Sequence, residues 1–371
     1  MSYLNEAKRI IVKIGSSLLV DESEGHIRHE WLESLCSDVA GLHAQGKEVI
    51  IVSSGAIAVG RHHLNLIPPL KLEEKQAAAA AGQIRLAHAY QEVLSKYGIN
   101  VAQILLTLYD SEVRRRYLNA CNTLETLIKL RAVPLINEND TVATAEIKFG
   151  DNDRLAARVA QMVSAEVLVL LSDIDGLYTL DPRKHKSADF IEEVTEITPE
   201  IESMAGDPGP SYGSGGMITK LEAAKICLSA GCRMVIAKGE TFYPLTAIKK
   251  GSKCTWFTPL TEARTARKQW IFGSIKPIGS LFIDDGAVTA LNEGKSLLPA
   301  GVIDLEGDFH RGDCVLVKTR KGVVLGRGLS AYDAKDVCRI LGKKTHEIES
   351  ILGHRGRDEL IHRDDLVMNS G

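Results

Sequence analysis

No two cysteines in this chain are spaced as C-x-x-C, and the seven present (Cys36, Cys121, Cys227, Cys232, Cys254, Cys314, Cys338) are odd in number and scattered. That argues against a disulfide framework or a zinc site and points to reduced thiols in a cytosolic protein. Long apolar runs are missing too: none approaches the ~20 residues of a membrane span, and Met1 to Arg9 lacks the apolar core of a signal peptide. Charge of one sign is also lacking. Against 45 Lys and Arg stand 48 Asp and Glu, a net charge of −3, so no global field selects nucleic acid or a membrane. The chain carries neither a G-x-x-x-x-G-K-[ST] loop nor a G-x-G-x-x-G fingerprint. Its histidines do not cluster, and no Ser/His/Asp or Cys/His arrangement is legible. What is present is ordinary: 44% hydrophobic and 25% charged residues exclude disordered and fibrous classes. A length of 371 residues makes two domains the expectation. The bulk numbers describe a cytoplasmic protein with no membrane partner.

The first two-thirds of the chain alternates short apolar runs with helix-period segments. Ile10 to Ile14, Val49 to Val52, Val101 to Leu106, Val133 to Ile136, Val167 to Leu171 and Met234 to Ala237 read as strands rich in Ile, Val and Leu. Between them Trp31, Leu32, Leu35, Val39 and Leu42 recur at helical spacing until Gly46. Lys71 to Tyr97, with its alanine run, predicts a long helix ended by Gly98, and Asp110 or Ser111 is expected to cap another through Leu130. Near-continuous apolar strands alternating with helices predict an α/β fold, an open, mostly parallel sheet sandwiched by helices. After Thr258 the pattern changes. Residues 1–258 form one domain in this reading, 259–275 a polar linker, and 276–371 a small β-rich domain punctuated by glycines.

Two polar clusters share one loop. Ile136-Asn137-Glu138-Asn139-Asp140 follows a buried strand, and Gly150-Asp151-Asn152-Asp153 precedes a helix that Asp151 or Asn152 would cap. Strand ends that open onto helix N-termini are where open α/β sheets hold ligands. Lys13 ends the first strand, beside Gly15-Ser16-Ser17; a lysine there is expensive to bury unless an anion meets it. Ser53-Ser54-Gly55 leads into a helix, where hydroxyls and free amides favour anions. Ser172-Asp173 closes another strand. Gly213-Ser214-Gly215-Gly216-Met217-Ile218-Thr219-Lys220 opens the helix Leu221 to Ala230, and a lysine in that position is disfavoured by the helix dipole unless an anionic partner compensates. The missing catalytic base fits a carboxylate acceptor, which has a pKa near ~4.3 and is already ionised. Such an acceptor needs relief from repulsion between anions, roughly 4 kcal/mol per charge pair at ~4 Å. Lys13, Lys220 and a magnesium ion held mostly by phosphates and water would supply it.

Taken together, Val12-Lys13-Ile14-Gly15-Ser16-Ser17, Val52 to Ala58, Ile136 to Asp140, Gly150 to Asp153 and Gly215 to Lys220 closely resemble the amino acid kinase family, and within it the branch that phosphorylates the side-chain carboxylate of glutamate. Asp284 to Ala287, Ser296 to Gly301 and Gly307 to Asp313 look like the C-terminal PUA domain of many members. The resemblance implies ATP-dependent conversion of L-glutamate to L-glutamyl 5-phosphate, the first step of proline synthesis. Mg2+ would accompany ATP, and proline would be a feedback inhibitor. A homo-oligomer and handover to a glutamyl phosphate reductase are expected. By motif position, Lys13 and Lys220 would neutralise the transferring phosphoryl group and Asp153 would orient them. Ser54, Asp140 and Asn152 would hold glutamate. Lys13, Ser172, Asp173 and the stretch Ser214, Gly215, Gly216, Met217, Ile218, Thr219 and Lys220 would hold ATP. No protein-supplied metal site is expected. The chain departs from commoner members at Ser172 and Ser214, where threonine is frequent, and at Ile218, where a small polar residue is usual.

Aspartate, acetylglutamate, uridylate and carbamate kinases share the sheet and the lysine pair, but the PUA-like tail and the paired Asn/Asp clusters favour the glutamate branch. A different class, an RNA-binding PUA protein, is disfavoured by charge. Residues 271–371 carry 14 Lys and Arg against 15 Asp and Glu, whereas an RNA-binding surface is normally basic.

Overall fold

The computed structural model describes residues 3–21, 25–143, 151–185, 187–206, 216–260, 277–354 and 356–368. It divides into two compact units, Met1–Ala263 and Arg264–Gly371. Of the linker expected at 259–275, all but the first two residues lie outside the described residues.

The first unit opens with α1 (Tyr3–Glu6), β1 (Arg9–Ile14), α2 (Ser16–Leu19), α3 (His29–Ala44), β2 (Glu48–Ser53), α4 (Ala56–His63), α5 (Leu72–Ser95) and β3 (Val101–Leu106). It continues through α6 (Leu108–Glu112), α7 (Arg114–Lys129), β4 (Val133–Glu138), α8 (Asn152–Val163) and β5 (Val167–Ser172). After the short strands β6 (Leu177–Tyr178), β7 (Phe190–Ile191) and β8 (Glu193–Val194) come α9 (Pro199–Ser203), α10 (Met217–Ser229), β9 (Arg233–Lys238), α11 (Pro244–Lys249) and β10 (Cys254–Phe257). Eight strands form one sheet in the order β3-β4-β2-β1-β5-β9-β10-β8, parallel except for the antiparallel β9–β10 pair. The chain leaves β1 first toward β2 and later returns on its other side as β5, so β1 sits at the switch point, where an open sheet leaves a crevice.

Burial hides the period of the central strands, because both faces are covered. The partition of side chains between layers restores it. Ile10, Val12 and Ile14 pack with α3 and α5 through Leu32, Leu35, Tyr90 and Val93. Ile11 packs on the opposite face with α8 and α10, through Leu155, Val159, Leu221 and Ala224. Alternation therefore points Lys13 at the α8/α10 layer. Ser53, one past Val52 of that same layer, faces α5.

Two helix expectations differ from the structure. The single helix expected from Asp110 or Ser111 to Leu130 is two helices, α6 and α7, meeting at extended Val113. Thr107, not Asp110 or Ser111, caps α6. Asp110 instead closes the box by accepting the Thr107 N–H at 2.7 Å, and a 3.0 Å link from Arg116 spans the break. The helix expected at Leu221 starts at Met217 with Gly216 as its N-cap, which draws Lys220 into the helix.

The second unit is a five-stranded sheet of β11 (Gly279–Ile283), β12 (Val302–Glu306), β13 (Cys314–Thr319), β14 (Val324–Leu329) and β15 (Leu366–Met368), in the order β12-β11-β13-β14-β15. Helices α12 (Asp285–Asn292), α13 (Ala334–Ile340) and α14 (Thr345–Leu352) accompany it. Leu281, Phe309, Val315, Val337 and Ile361 form its own core.

α4 and α5 cross with backbones in contact. A Cβ on Gly60 would lie 1.7 Å from the Ala78 carbonyl oxygen, and one on Gly82 1.8 Å from that of Ala56. Helix propensity alone would make alanine at either position better by ~1 kcal/mol. Overpacking against rigid backbone costs ~1–3 kcal/mol or more, so the clash should win. Gly60→Ala and Gly82→Ala are both expected to lower the thermal midpoint, as calorimetry would read; an unchanged or raised midpoint would contradict the close crossing.

Candidate active site

Three charged side chains meet at the carboxyl end of β1. Lys13 Nζ lies 2.5 Å from Asp153 Oδ1, and Lys220 Nζ lies 3.0 Å from Asp153 Oδ2. Each comes from a different element: the end of β1, the first turn of α8 and the first turns of α10. Asp151 caps α8 by accepting the Asp153 N–H at 2.7 Å, which sets the direction in which Asp153 leaves the helix. Thr219 Oγ1, 3.4 Å from Asp153 Oδ2, adds a weaker contact. Asp153 is 0% exposed, Lys13 6% and Lys220 5%, so this cluster is shielded from water. Burial alone would push the Asp153 carboxyl up. The two ammonium groups outweigh burial and hold it below its ordinary 3.8. Two cations share one anion, so the three side chains together carry an excess positive charge beside the N-termini of α8 and α10.

A second group gathers where β2 and β4 end. Asn152 Nδ2 lies 2.9 Å from the Ser53 carbonyl, 2.8 Å from Ser54 Oγ and 2.9 Å from Asn137 Oδ1. An amide carries two hydrogens, so these three acceptors cannot all be fully served at once. Asn137 Oδ1 also accepts the Glu138 N–H at 2.8 Å, which fixes that side chain's orientation. Gly55 turns the chain from Ser54 into α4 at φ 103°, a conformation that favours glycine. Asp140 is half-buried in the turn leaving β4.

At the ends of β5 and β9 the Ser172 hydroxyl donates to Asp173 Oδ1 at 3.0 Å, and Arg183 Nη2 reaches Asp173 Oδ2 at 2.6 Å. Burial raises the Asp173 carboxyl, but Arg183 and Ser172 hold it below the ordinary range. The Ser172 carbonyl accepts the Gly239 N–H at 2.8 Å, tying the two strand ends.

The structure thus brings Lys13, Asp153 and Lys220 together, joins Ser54 to Asn152, and joins Ser172 to Asp173. Gly216, Met217, Ile218 and Thr219 form the cap and first turn of α10. Ser214 and Gly215 lie outside the described residues, as does Gly150. Sequence reasoning passed over Asn137 as an individual residue, although its cluster was singled out. It missed Arg183, for which the only signal is an opposite charge ten residues after Asp173. Two surface hollows of ≈ 350 and ≈ 560 Å³ open elsewhere, and neither is lined by a residue of these three groups.

Asp153→Asn leaves two buried ammonium groups without their counter-ion, and breaking such a pair costs roughly 3–5 kcal/mol. The folded carboxyl titrates below the unfolded one. Its stabilisation is therefore complete above the unfolded value and is lost as pH falls through the folded value. Urea melts of both proteins at neutral pH and down through the carboxylate range should show a gap that narrows only toward the acid end. A gap independent of pH would contradict the ion cluster.

A model of the amino acid kinase family matches residues 8–238, and one of the PUA domain matches residues 279–352. Glutamate 5-kinase of Paramagnetospirillum magneticum is 70% identical over 368 residues, covering 99% of this chain and 100% of that protein. Glutamate 5-kinase of Rhodospirillum rubrum is 58% identical over 361 residues, covering 97% of this chain and 96% of that protein.

Proposed function

The chain belongs to the amino acid kinase family, and on that premise we propose that it transfers the γ-phosphoryl group of ATP to the side-chain carboxylate of L-glutamate. The products are L-glutamyl 5-phosphate and ADP, the entry to proline synthesis. Full-length likeness to glutamate 5-kinases supports the acceptor. The observation that carries the chemistry is the buried cluster in which Lys13 and Lys220 share Asp153.

In the proposed step a glutamate carboxylate oxygen attacks the γ-phosphorus while the bond from that phosphorus to the β–γ bridging oxygen breaks. ADP leaves with that electron pair. No proton has to leave the acceptor, so no general base is required. What the step requires is positive charge fixed in advance where the phosphoryl oxygens pass, and two ammonium groups held by one carboxylate meet that need. Lys13 and Lys220 are assigned to the phosphoryl group, with Asp153 as the residue that orients them. Ser54, Asn152 and Asp140 are assigned to glutamate. Ser172, Asp173 and the start of α10 from Gly216 to Lys220, preceded by Ser214 and Gly215, are assigned to ATP.

Among the described residues no group of three or more His, Cys, Asp or Glu is arranged to hold a metal ion. The site's side chains are mainly ammonium, amide and hydroxyl groups, and both oxygens of Asp153 face lysines. A magnesium ion would therefore be held by ATP oxygens and water, and would supply further neutralisation of phosphate charge. The product is an acyl phosphate that hydrolyses and cyclises readily, which supports handover to a glutamyl phosphate reductase. Feedback by proline and assembly into a homo-oligomer belong to the same proposal. No described helix is long and apolar enough to cross a membrane.

Incubation with glutamate, ATP and magnesium, with hydroxylamine present to trap the acyl phosphate as hydroxamate, tests the reaction; no glutamate-dependent hydroxamate would refute it. Lys13→Ala and Lys220→Ala should each lower kcat about 10²–10³-fold, with little change in KM for glutamate, as expected for contacts strongest in the transition state. Asp140→Ala should instead raise KM for glutamate and leave KM for ATP nearly unchanged, because an anion in that turn would meet the substrate ammonium. Initial-rate kinetics over both substrates separates these outcomes.

A further inference from the structure

α5 carries three polar side chains seven residues apart on its inner face, Gln76, Gln83 and Tyr90. Seven residues are close to two helical turns, so the three form one stripe along the helix. Each touches a different part of the acceptor side of the site. Gln76 Nε2 donates to the Ala143 carbonyl at 3.3 Å and Gln83 Nε2 to the Glu138 carbonyl at 3.4 Å. Tyr90 Oη lies 3.2 Å from Ser53 Oγ, and the Ser53 carbonyl in turn faces Asn152. Gln83 is 7% exposed and Tyr90 is fully buried among apolar side chains of α3 and β1. A buried amide or phenol offsets its desolvation cost only through its hydrogen bonds, so these contacts hold both the side chains and the segments they meet. Gln83 is itself held from behind, because Gln103 Nε2 donates to its Oε1 at 3.1 Å.

The backbone of the same helix is fixed to the other acceptor segment. α4 begins directly after Ser54-Gly55, and at the Gly60–Gly82 crossing its backbone packs directly against that of α5. One helix thus sets the position of both strand-end loops, the one after β2 with Ser54 and the one after β4 with Asp140. It touches no residue of the lysine cluster in these contacts.

We propose that Gln76, Gln83 and Tyr90 are positioning residues for the glutamate pocket, with α5 as the rigid element that holds the two acceptor loops at a fixed separation. This rests on the functional reading above and adds to it a physical division: acceptor affinity is governed from α5, and phosphoryl transfer from β1, α8 and α10. A purely structural role would lower stability without separating the two substrates.

The test is the full-length chain with Gln83→Leu, Gln76→Leu and Tyr90→Phe, each of which removes a donor and keeps most of the volume. Loss of one such hydrogen bond should raise KM for glutamate about tenfold in Gln83→Leu, with kcat within roughly twofold and KM for ATP unchanged. Amide hydrogen exchange provides a readout that needs no substrate. The Asn139 N–H, bonded to the Leu106 carbonyl at 2.8 Å, and the Ala143 N–H, bonded to the Asn139 carbonyl at 3.1 Å, should exchange faster in Gln83→Leu and Gln76→Leu. If Gln83→Leu does not fold, Gln76→Leu, at a half-buried position, carries the same measurement. Unchanged exchange at residues 139–143, or a loss shared equally between glutamate and ATP, would overturn the proposal. A wild-type chain inactive on glutamate would instead overturn the functional reading, while the exchange result would still decide the role of the stripe.

Discussion

A buried carboxylate between two buried ammonium groups is the constraint on which the rest of the molecule turns. Bringing Lys13 and Lys220 within reach of one another is unfavourable: at ~4 Å and an effective dielectric of ~20 a charge pair is worth about 4 kcal/mol, here as repulsion. Asp153 offsets that repulsion from between them, and only if β1, α8 and α10 hold their mutual register. The carboxylate therefore organises three elements as well as two side chains. It leaves the group incompletely neutralised, and that excess of positive charge is what the proposed role in phosphoryl transfer draws on. Substituting apolar residues would ease the electrostatics but would remove the reason for the site.

The other polar contacts are arranged around this cluster by the sheet. In parallel strands all carboxyl ends lie on one side, so the loops after β1, β2, β4, β5 and β9 converge without special design. The switch point at β1 then divides them. On one side the ends of β2 and β4 carry Ser54, Asn137 and Asp140, and Asn152 reaches across to them from α8. On the other, β5 and β9 carry Ser172, Asp173 and the Arg183 contact. Asn152 and Asp153 are neighbours in sequence at the start of α8, yet they serve different sides, because successive residues at a helix start diverge by about 100°.

Much of this was legible along the chain. Six apolar runs became six strands of the sheet, β3 with the expected boundaries and the other five extended by one or two residues, because runs of Ile, Val and Leu bounded by polar turns have few other stable outcomes. Lys13 and Lys220 are conspicuous because a charge at a strand end or helix start asks for a partner, whereas Asp153 is marked out within its polar cluster only by the family resemblance. The early break at Val113 was not legible: the residues on both sides are compatible with a helix, and the Thr107–Asp110 box competes with Asp110 or Ser111 as the start. Arg183 could not be picked out either, since surface arginines near acidic residues are common and the contact depends on where a turn places it.

Residue type alone specifies the layer architecture and the polar carboxyl-end loops and makes Lys13 and Lys220 conspicuous, because hydrophobic period and the cost of burying charge act locally. It did not determine which oxygen each lysine would face, that Ser53 would turn toward Tyr90, or that Gln76, Gln83 and Tyr90 would reach three separate pieces of the acceptor side. On α5 their spacing alone is equally that of a solvent-facing stripe. The buried Ala79, Leu86 and Val93 turn this stripe inward by their period, but only the tertiary packing, including the close α4–α5 crossing at Gly60 and Gly82, decides which loops the three side chains meet.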